Sequence, residues 1–144
     1  MNLSNDTIAI FKNFANINQN ILVKPGKKLN TISTMKNILA TADVKEDFEQ
    51  EFAIYDLPEF LRTLDLFETP TLKFNGGSSV GISGKDGRSS SKYTFADKSV
   101  IVAPTKAISM PDSDITFRFS KENLNRLMKG VVTLNLPDIE VIGD

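Results

Sequence analysis

Two stretches of the chain carry apolar residues at the three- and four-residue spacing of an amphipathic helix. In residues 5–18, NDTIAIFKNFANIN, the apolar side consists of Ile8, Phe11, Phe14 and Ala15. In residues 52–67, FAIYDLPEFLRTLDLF, it consists of Leu57, Phe60, Leu61, Leu64 and Phe67. Ser4 and Asp56 precede these stripes as N-cap residues, and Pro58 falls in the first turn, where proline is tolerated. The pattern predicts a helix after each cap.

Short segments with strand-like alternation or apolar runs follow each of the two helices. The first helix is followed by ILVKPG, KLNTISTM, ILATADV and FEQEFAIY, and the second by TLKFNG, SVGISG, SKYTFAD and SVIVAP. Turn-forming residues such as Pro25-Gly26 separate them. Because no long helix connects consecutive strands, this order predicts an α+β fold with antiparallel sheet and two helices packed on one sheet face.

A third helix with the same kind of start is predicted near the end of the chain. ITFRF, residues 115–119, is a predicted strand, Ser120 a predicted N-cap and KENLNRLMKGVV, residues 121–132, a predicted helix. A further strand is predicted within residues 138–142. Each helix start has an apolar residue before the cap and another four residues after it, as in a hydrophobic staple. The recurrence indicates repeated helix-plus-strands units, one complete pair before residue 105 and part of another after residue 113.

The composition removes most classes of catalytic and metal site. The 144 residues include no cysteine and no histidine, which excludes thiolate chemistry, histidine-based triads and the common zinc sites. The acidic stretch EDFEQEF, residues 46–52, alternates phenylalanine with charge and is interpreted as a solvated sheet face rather than a catalytic carboxylate pair. GKDGRSSSK, residues 84–92, lacks the glycine spacing of a phosphate-binding loop and is predicted to be a hairpin tip. We expect no enzyme activity, no metal and no cofactor.

Charge is unevenly distributed along the chain. The net charge of −1 combines basic segments before residue 46 and over residues 73–106 with a strongly acidic one over residues 46–72. A uniformly basic nucleic-acid binder does not have this pattern, whereas a protein with one basic and one acidic surface does. Mixing of the sequence blocks in space is an equally good interpretation of the charge pattern taken alone.

Several phrases of the sequence carry a resemblance to a known family. LSNDTIAIFKNFANIN, FAIYDLPEFLRTLDLF and SVIVAPTKAISMP, in this order and spacing, resemble the sliding clamp, or DNA polymerase processivity factor, of T-even-type bacteriophages. The resemblance implies the DNA-clamp fold. It implies a complete N-terminal clamp domain in residues 1–104, an interdomain connector in residues 105–113 and an incomplete second clamp domain, strand-helix-strand, in residues 114–144. Family subunits are longer, so we expect a truncated chain.

The resemblance implies a sliding clamp that encircles duplex DNA and tethers the replicative polymerase in the cytoplasm of the infected bacterial host. Three subunits would close into a ring with helices lining the hole. The implied partners are duplex DNA, bound without sequence preference, a DNA polymerase and a clamp loader, with no membrane. For this fragment we expect self-association into another oligomer through the apolar stripe of the third helix, which consists of Leu124, Leu127, Met128 and Val131. Packing of this segment against the first domain of the same chain is the alternative. The alternative is a non-enzymatic peptide- or protein-binding adaptor module that does not encircle DNA.

Helices that line a DNA-filled hole need cations on the face opposite their apolar stripe. In the third helix Arg126 and Lys129 meet this requirement best, with Lys121 near the helix start. Arg62 and Lys12 come second, because acidic residues flank Arg62 and because Lys12 lies at the edge of its polar face. On helix geometry alone, a solvated cation is the simpler interpretation of each.

The segment IVAPTKAISMP, residues 101–111, is extended, apolar and bounded by proline. In the family it resembles, this stretch is the interdomain connector, near which partner proteins dock their terminal peptides. Ile108 and Met110 are therefore the candidate contacts for a partner peptide. Coverage of the edge of the core is the simpler interpretation of these two side chains.

Overall fold

The computed structural model describes residues 1–85, 87–106 and 112–142. Its helices are α1 (Asn5–Ala15), α2 (Leu57–Asp65) and α3 (Lys121–Leu134), with a short 3-10 helix at Lys98–Val100. Its strands are β1 (Ile21–Val23), β2 (Gly26–Ile32), β3 (Leu39–Phe48), β4 (Phe52–Ile54), β5 (Thr71–Phe74), β6 (Ser79–Ser83) and β7 (Ser90–Thr94). The chain divides into two compact units, residues 1–107 and residues 108–144. Within the described ranges, no helix is long and apolar enough to cross a membrane.

Side-chain caps fix the starts of the two helices in the first unit. The Ser4 hydroxyl accepts a hydrogen bond from the Thr7 N–H at 3.3 Å, and the Asp56 carboxylate accepts one from the Glu59 N–H at 2.8 Å. Each cap satisfies a donor that the first helical turn leaves without a backbone partner. Both helices therefore begin where the sequence predicts.

All the strand pairs among the described residues are antiparallel, as the sequence predicts. β1 pairs with β4, β2 pairs with β3, and β5, β6 and β7 form a three-stranded sheet in that order. Ser83, at the end of β6, lies opposite Ser90, at the start of β7. The predicted hairpin between these two strands is therefore confirmed.

Two of the strands predicted for the first unit are wrong. FEQEFAIY is not one strand, because β3 ends at Phe48 and β4 begins at Phe52, where the chain changes its pairing partner from β2 to β1. SVIVAP does not pair with any strand among the described residues. A 3-10 helix forms there instead, and the Val102 N–H and C=O bind the side chains of Asn20 and Asn18, each at 3.1 Å. Side-chain amides thus replace the ladder that a strand needs.

The core of the first unit joins both helices to the sheets. The rings of Phe11 in α1 and Phe60 in α2 meet edge to face with centroids 6.4 Å apart. Phe60 meets Tyr93 of β7 in the same way at 5.1 Å. The fully buried strand residues of this core include Ile21, Val23, Leu29, Phe48, Ile54, Leu72, Val80 and Ile82. The two helices pack side by side on this core, and the predicted α+β fold is confirmed.

The second unit is built around α3. The Ser120 hydroxyl accepts a hydrogen bond from the Asn123 N–H at 3.1 Å, and Asn135 ends the helix in the left-handed conformation, φ 50°. The predicted third helix is therefore confirmed and ends two residues later than expected. The strands predicted at residues 115–119 and 138–142 are wrong. A strand needs a hydrogen-bonded neighbour, and the described part of this unit provides none.

The division between the two compact units falls after residue 107, inside the connector predicted at residues 105–113. Residues 107–111 lie outside the described residues. The limits predicted for the two clamp domains therefore stay a prediction.

Candidate nucleic-acid interface

The exposed sides of α1 and α2 form one surface, which we name the helix face. Its members are Asn5, Asp6, Ala9, Lys12, Asn13 and Asn16 from α1 and its C-cap, with Glu59, Arg62, Asp65 and Leu66 from α2 and its C-cap. They face solvent because Phe11, Phe14, Phe60 and Leu64 turn the opposite sides into the core. The helix face holds three carboxylates and two cations, so it is a mixed surface rather than a basic one.

Lys12 is paired across the two helices. Its Nζ lies 3.3 Å from Asp65 Oδ1, and the two side chains are 53% and 59% exposed. An exposed pair of this kind contributes little to stability, about 0–1 kcal/mol. It does, however, place a carboxylate beside the ammonium group that an incoming anion would have to approach. The candidate DNA contact at Lys12 is therefore partly neutralised within the protein.

Arg62 occupies the last turn of α2 and is exposed. Among the residues that the structure describes, it has no ion-pair partner within 4.0 Å. Glu59 and Asp65 lie three residues before and after it, on the same side of the helix. Arg62 is thus the helix-face cation that is directly available to a phosphate, although two acids share its surroundings.

The N-terminus of α1 is held by a side chain that sequence analysis did not single out. Glu46 of β3 is buried, and its carboxylate accepts hydrogen bonds from the Ser4 N–H and the Thr7 hydroxyl. Burial opposes ionisation of Glu46, but these hydrogen bonds outweigh it and lower the pKa of the carboxyl. The solvated-face interpretation of residues 46–52 is therefore wrong at Glu46. Its alternation with Val44 and Phe48 was the signal that it shares their buried face.

Lys45, which precedes Glu46 in β3, binds Asp6, which precedes Thr7 in α1. Its Nζ lies 2.7 Å from Asp6 Oδ2, and both side chains are about three-quarters exposed, at 74% and 73%. The hydrogen bond and the charge of Asp6 raise the pKa of Lys45. Two consecutive residues of β3 thus bind two consecutive residues of α1, and the helix start is fixed to the sheet.

The third helix carries the densest group of cations. Lys121, Arg126 and Lys129 are all exposed, and Glu122 is the one acidic residue within α3. None of the three cations has an ion pair among the residues that the structure describes. Of the three helices, α3 has the surface best suited to attract phosphate.

Arg126 is not wholly opposite the apolar stripe of α3. Together with Leu127 it lines an open groove that is bordered by residues 139–142, which include Glu140. Lys129 does not line this groove. The structure therefore separates the two cations that the sequence ranked together, because Arg126 lines this groove and Lys129 is not among its described lining residues.

The remaining site predictions concern the partner-peptide contacts and metal binding. Ile108 and Met110, the candidate contacts for a partner peptide, lie outside the described residues. In the part of the chain that the structure describes, no group of three or more acidic, histidine or cysteine side chains is arranged to hold a metal ion.

The sequence of this chain matches one family model and is similar to three known proteins. The model of the family described as DNA polymerase processivity factor matches residues 4–103. The chain belongs to this family. The two packed helices α1 and α2, with all seven strands of the first unit, lie within the matched residues. The processivity-factor match thus covers the whole helix face.

Three proteins that are similar to this chain are sliding clamps of bacteriophages. The sliding clamp of Vibrio phage KVP40 is 32% identical over 142 residues, which are 96% of this chain and 63% of that protein. The sliding clamp of Escherichia phage RB69 is 35% identical over 130 residues, 90% of this chain and 56% of that protein. That of Enterobacteria phage T4 is 33% identical over 129 residues, with the same two shares, 90% and 56%. The chain thus spans little more than half the length of these relatives.

Proposed function

We propose that this chain supplies the first domain, and part of the second, of a DNA sliding clamp that acts as a polymerase processivity factor. The observation that carries the proposal is the coincidence of the family match at residues 4–103 with an antiparallel α+β unit bearing two helices side by side. The helices present one continuous surface, and the strands lie behind it. Such a unit can line a hole with its helices and form the outer wall with its sheets.

Duplex DNA is the ligand proposed for the helix surfaces. Contacts from lysine, arginine and asparagine to phosphates carry no sequence information, which suits a protein that slides. A closed ring is retained on DNA by topology, so each contact needs little affinity. The sparse charge of the helix face supports this mode, because Lys12 is shared with Asp65 and Arg62 stands between two acids. Lys121, Arg126 and Lys129 of α3 are the proposed main contacts.

The partners proposed for the complete assembly are a DNA polymerase, a clamp loader and two further copies that close a trimeric ring. The peptide segments of the polymerase would dock near the connector, with Ile108 and Met110 as the proposed contacts. The assembly would act in the cytoplasm of the infected host cell, and its role is to tether rather than to catalyse.

Primer extension on a long, singly primed circular template tests this function. The chain is joined to the missing part of the second domain, taken from one of the phage relatives, and supplied with that phage's polymerase and loader. We expect longer products in each binding event only when the loader and ATP are present. A non-enzymatic adaptor would lengthen products without a loader or not at all, and either result would contradict the clamp proposal.

A further inference from the structure

The outward side of the β5–β6–β7 sheet has an unusual arrangement of charge. Strand register places Lys73 of β5 opposite Gly81 of β6, and Gly81 opposite Lys92 of β7. The two lysines thus lie in one row, two strand spacings apart, or about 10 Å between their Cα atoms. The glycine between them carries no side chain, so the row has a gap at its centre.

The positions around this gap are hydroxyl residues. The other outward residues of the three strands are Thr71, Ser79, Ser83, Ser90 and Thr94, as the alternation of the strands requires. None of these positions is acidic. Lys73, Gly81, Ser83, Ser90 and Lys92 are among the residues that line an open depression of about 600 Å³ on this side of the sheet. We name it the lysine–serine face.

Lys73 and Lys92 differ from four of the five other strand and helix lysines of the first unit; the fifth, Lys27 of β2, like them has no ion pair among the described residues. Four of those lysines are within 4.0 Å of a carboxylate, namely Lys12, Lys28, Lys45 and Lys98. Neither Lys73 nor Lys92 has such a pair among the described residues. Two exposed ammonium groups therefore flank an empty position without a carboxylate of their own strands to neutralise them.

The lysine–serine face is turned away from the helices. The opposite side of the same sheet carries Leu72, Val80 and Ile82, which are buried in the core, and Tyr93, whose ring contacts Phe60 of α2. If α1 and α2 face the DNA, as the proposed function requires, this face looks outward from the ring. An anion that reaches it then belongs to a protein partner rather than to the encircled duplex.

We propose that the lysine–serine face is a docking surface for an acidic, extended segment of a partner protein, with one carboxylate seated over Gly81 between Lys73 and Lys92. Charge-assisted hydrogen bonds from both ammonium groups hold that carboxylate. The neighbouring serine and threonine hydroxyls donate hydrogen bonds to the adjacent carboxylates of the same segment. The surface offers little apolar area for burial. Binding is consequently weak and sensitive to salt, as suits a partner that is exchanged during work on DNA. The inference rests on the proposed function for its outward orientation.

Gly81 provides a test that leaves the lysines in place. A Cβ at this position would meet the Cβ and the carbonyl oxygen of Lys73 at 3.8 Å, which is ordinary van der Waals contact. Gly81→Val is therefore compatible with the strand while filling the gap between the ammonium groups. Lys73→Ser/Lys92→Ser removes the charges. Lys24→Ser/Lys27→Ser, at two exposed positions around the β1–β2 turn, is the matched control for net charge.

The measurement is fluorescence anisotropy of a labelled peptide in which glutamate alternates with serine, titrated with the 144-residue protein at low ionic strength. We expect the Kd to rise about fivefold in Lys73→Ser/Lys92→Ser and about threefold in Gly81→Val, and to change less than about twofold in the control pair. A peptide with glutamine in place of glutamate should not bind. The circular dichroism spectrum of each variant verifies the fold.

Three results would overturn the inference. The first is that the glutamate peptide does not bind to the parent protein. The second is that Lys24→Ser/Lys27→Ser loses as much affinity for the peptide as Lys73→Ser/Lys92→Ser does. The third is that Lys73→Ser/Lys92→Ser loses more affinity for a labelled DNA duplex than for the peptide. The last result would assign the face to nucleic acid. The peptide assay contains neither DNA nor loader, so its failure is separate from a failure of primer extension.

Discussion

The carboxylate of Glu46 accepts a hydrogen bond from the hydroxyl of Thr7, a residue 39 positions earlier in the chain. In a capping box, the third residue of a helix is a glutamate or glutamine that reaches back to the N–H of the cap residue. Thr7 holds that third position in α1, and it has neither the carboxylate nor the amide that a capping box uses. Glu46 of β3 supplies the missing carboxylate and binds both residues. The helix cap is thus also a contact between helix and sheet.

Glu46→Ala should destabilise the first unit by about 1.5–3 kcal/mol, because hydrogen bonds to a charged acceptor contribute about that much and their buried donors would lose their partner. Urea denaturation followed by circular dichroism measures the change. Asp47→Asn, at the exposed neighbouring position, is the control and should stay within about 0.5 kcal/mol of the parent. Equal effects of the two substitutions would show that the contact adds nothing.

The same contact predicts a pH dependence. The pKa of Glu46 is lowered in the folded protein from the ordinary value of 4.5. Its contribution to stability is therefore fully present above about pH 4.5 and is lost as the pH falls through the lower, folded-state pKa. Asp97, whose pKa is lowered by hydrogen bonds from Ser99, contributes in the same direction. The difference between the parent and Glu46→Gln in urea midpoint should therefore shrink below pH 4.5, and a constant difference across that range would contradict the assignment.

How far the sequence leads can be judged at Glu46 and Val102. Periodicity and capping residues suffice for the three helices, because these signals are local. Glu46 was predicted to face solvent because it is charged. It alternates along β3 with Val44 and Phe48, however, and this spacing places all three side chains on the same buried face. The SVIVAP segment has the composition of a strand. Its backbone at Val102 instead bonds to the side chains of Asn18 and Asn20, which lie more than 80 residues earlier in the chain. No local sequence pattern contains that information.

The site was predictable to a smaller extent than the fold. Helical spacing indicated correctly that Lys12, Arg62, Lys121, Arg126 and Lys129 are exposed. It did not reveal that Asp65 binds Lys12, because the pair joins two helices. Nor did it reveal that Arg126 borders a groove, because the groove depends on the position of residues 139–142, which follow the helix. Exposure is a property of one helix, whereas neutralisation depends on its neighbours.

Arg62 and Lys12 should contribute unequally to DNA retention. In a complete clamp containing this chain, Arg62→Ala should shorten residence on closed circular DNA more than Lys12→Ala does, since Lys12 is already bound to Asp65. Residence is measured by gel filtration of loaded clamps at increasing salt. Asp65→Ala should release Lys12 and make Lys12→Ala as costly as Arg62→Ala. Identical effects of the two cations in the parent background would contradict the role given to the ion pair.

The cations of α3 should dominate the salt response. Replacement of Arg126 and Lys129 by alanine in the complete clamp should lower DNA affinity and reduce the salt slope by about 0.9 for each phosphate that the variant no longer neutralises. Stability should change little, because both side chains are exposed. Lys24→Ala/Lys27→Ala is the charge-matched control, at exposed positions between β1 and β2 and at the start of β2. A slope that falls equally in both double variants would remove the basis for assigning α3 to DNA.

The exposed apolar residues of the second unit should make the 144-residue chain associate. Leu124 and Met128 of α3 are 45% and 46% exposed, and Val132 is 77% exposed. Contiguous apolar surface of this kind favours contact with another chain. Light scattering after size exclusion should give a mass above the monomer value of 15.9 kDa, and Leu124→Ser/Met128→Ser should restore the monomer.

Leu66→Ser provides the control for that experiment. Leu66 is 74% exposed but belongs to the first unit, away from the stripe of α3 in the chain. Its substitution should leave the oligomer intact. A monomeric parent chain, or an oligomer that only Leu66→Ser disrupts, would show that the stripe of α3 is not the contact.

The hydrogen bond between Asn18 and Val102 has a consequence for synthesis on the ribosome. The buried Asn18 amide donates to the carbonyls of Ile32 and Val102, and the second of these partners is made 84 residues after Asn18 itself. Until residue 102 has left the exit tunnel, the turn after α1 lacks a contact that the finished unit contains. The turn after α1 therefore gains its full set of side-chain hydrogen bonds only when nearly the whole first unit has been synthesised.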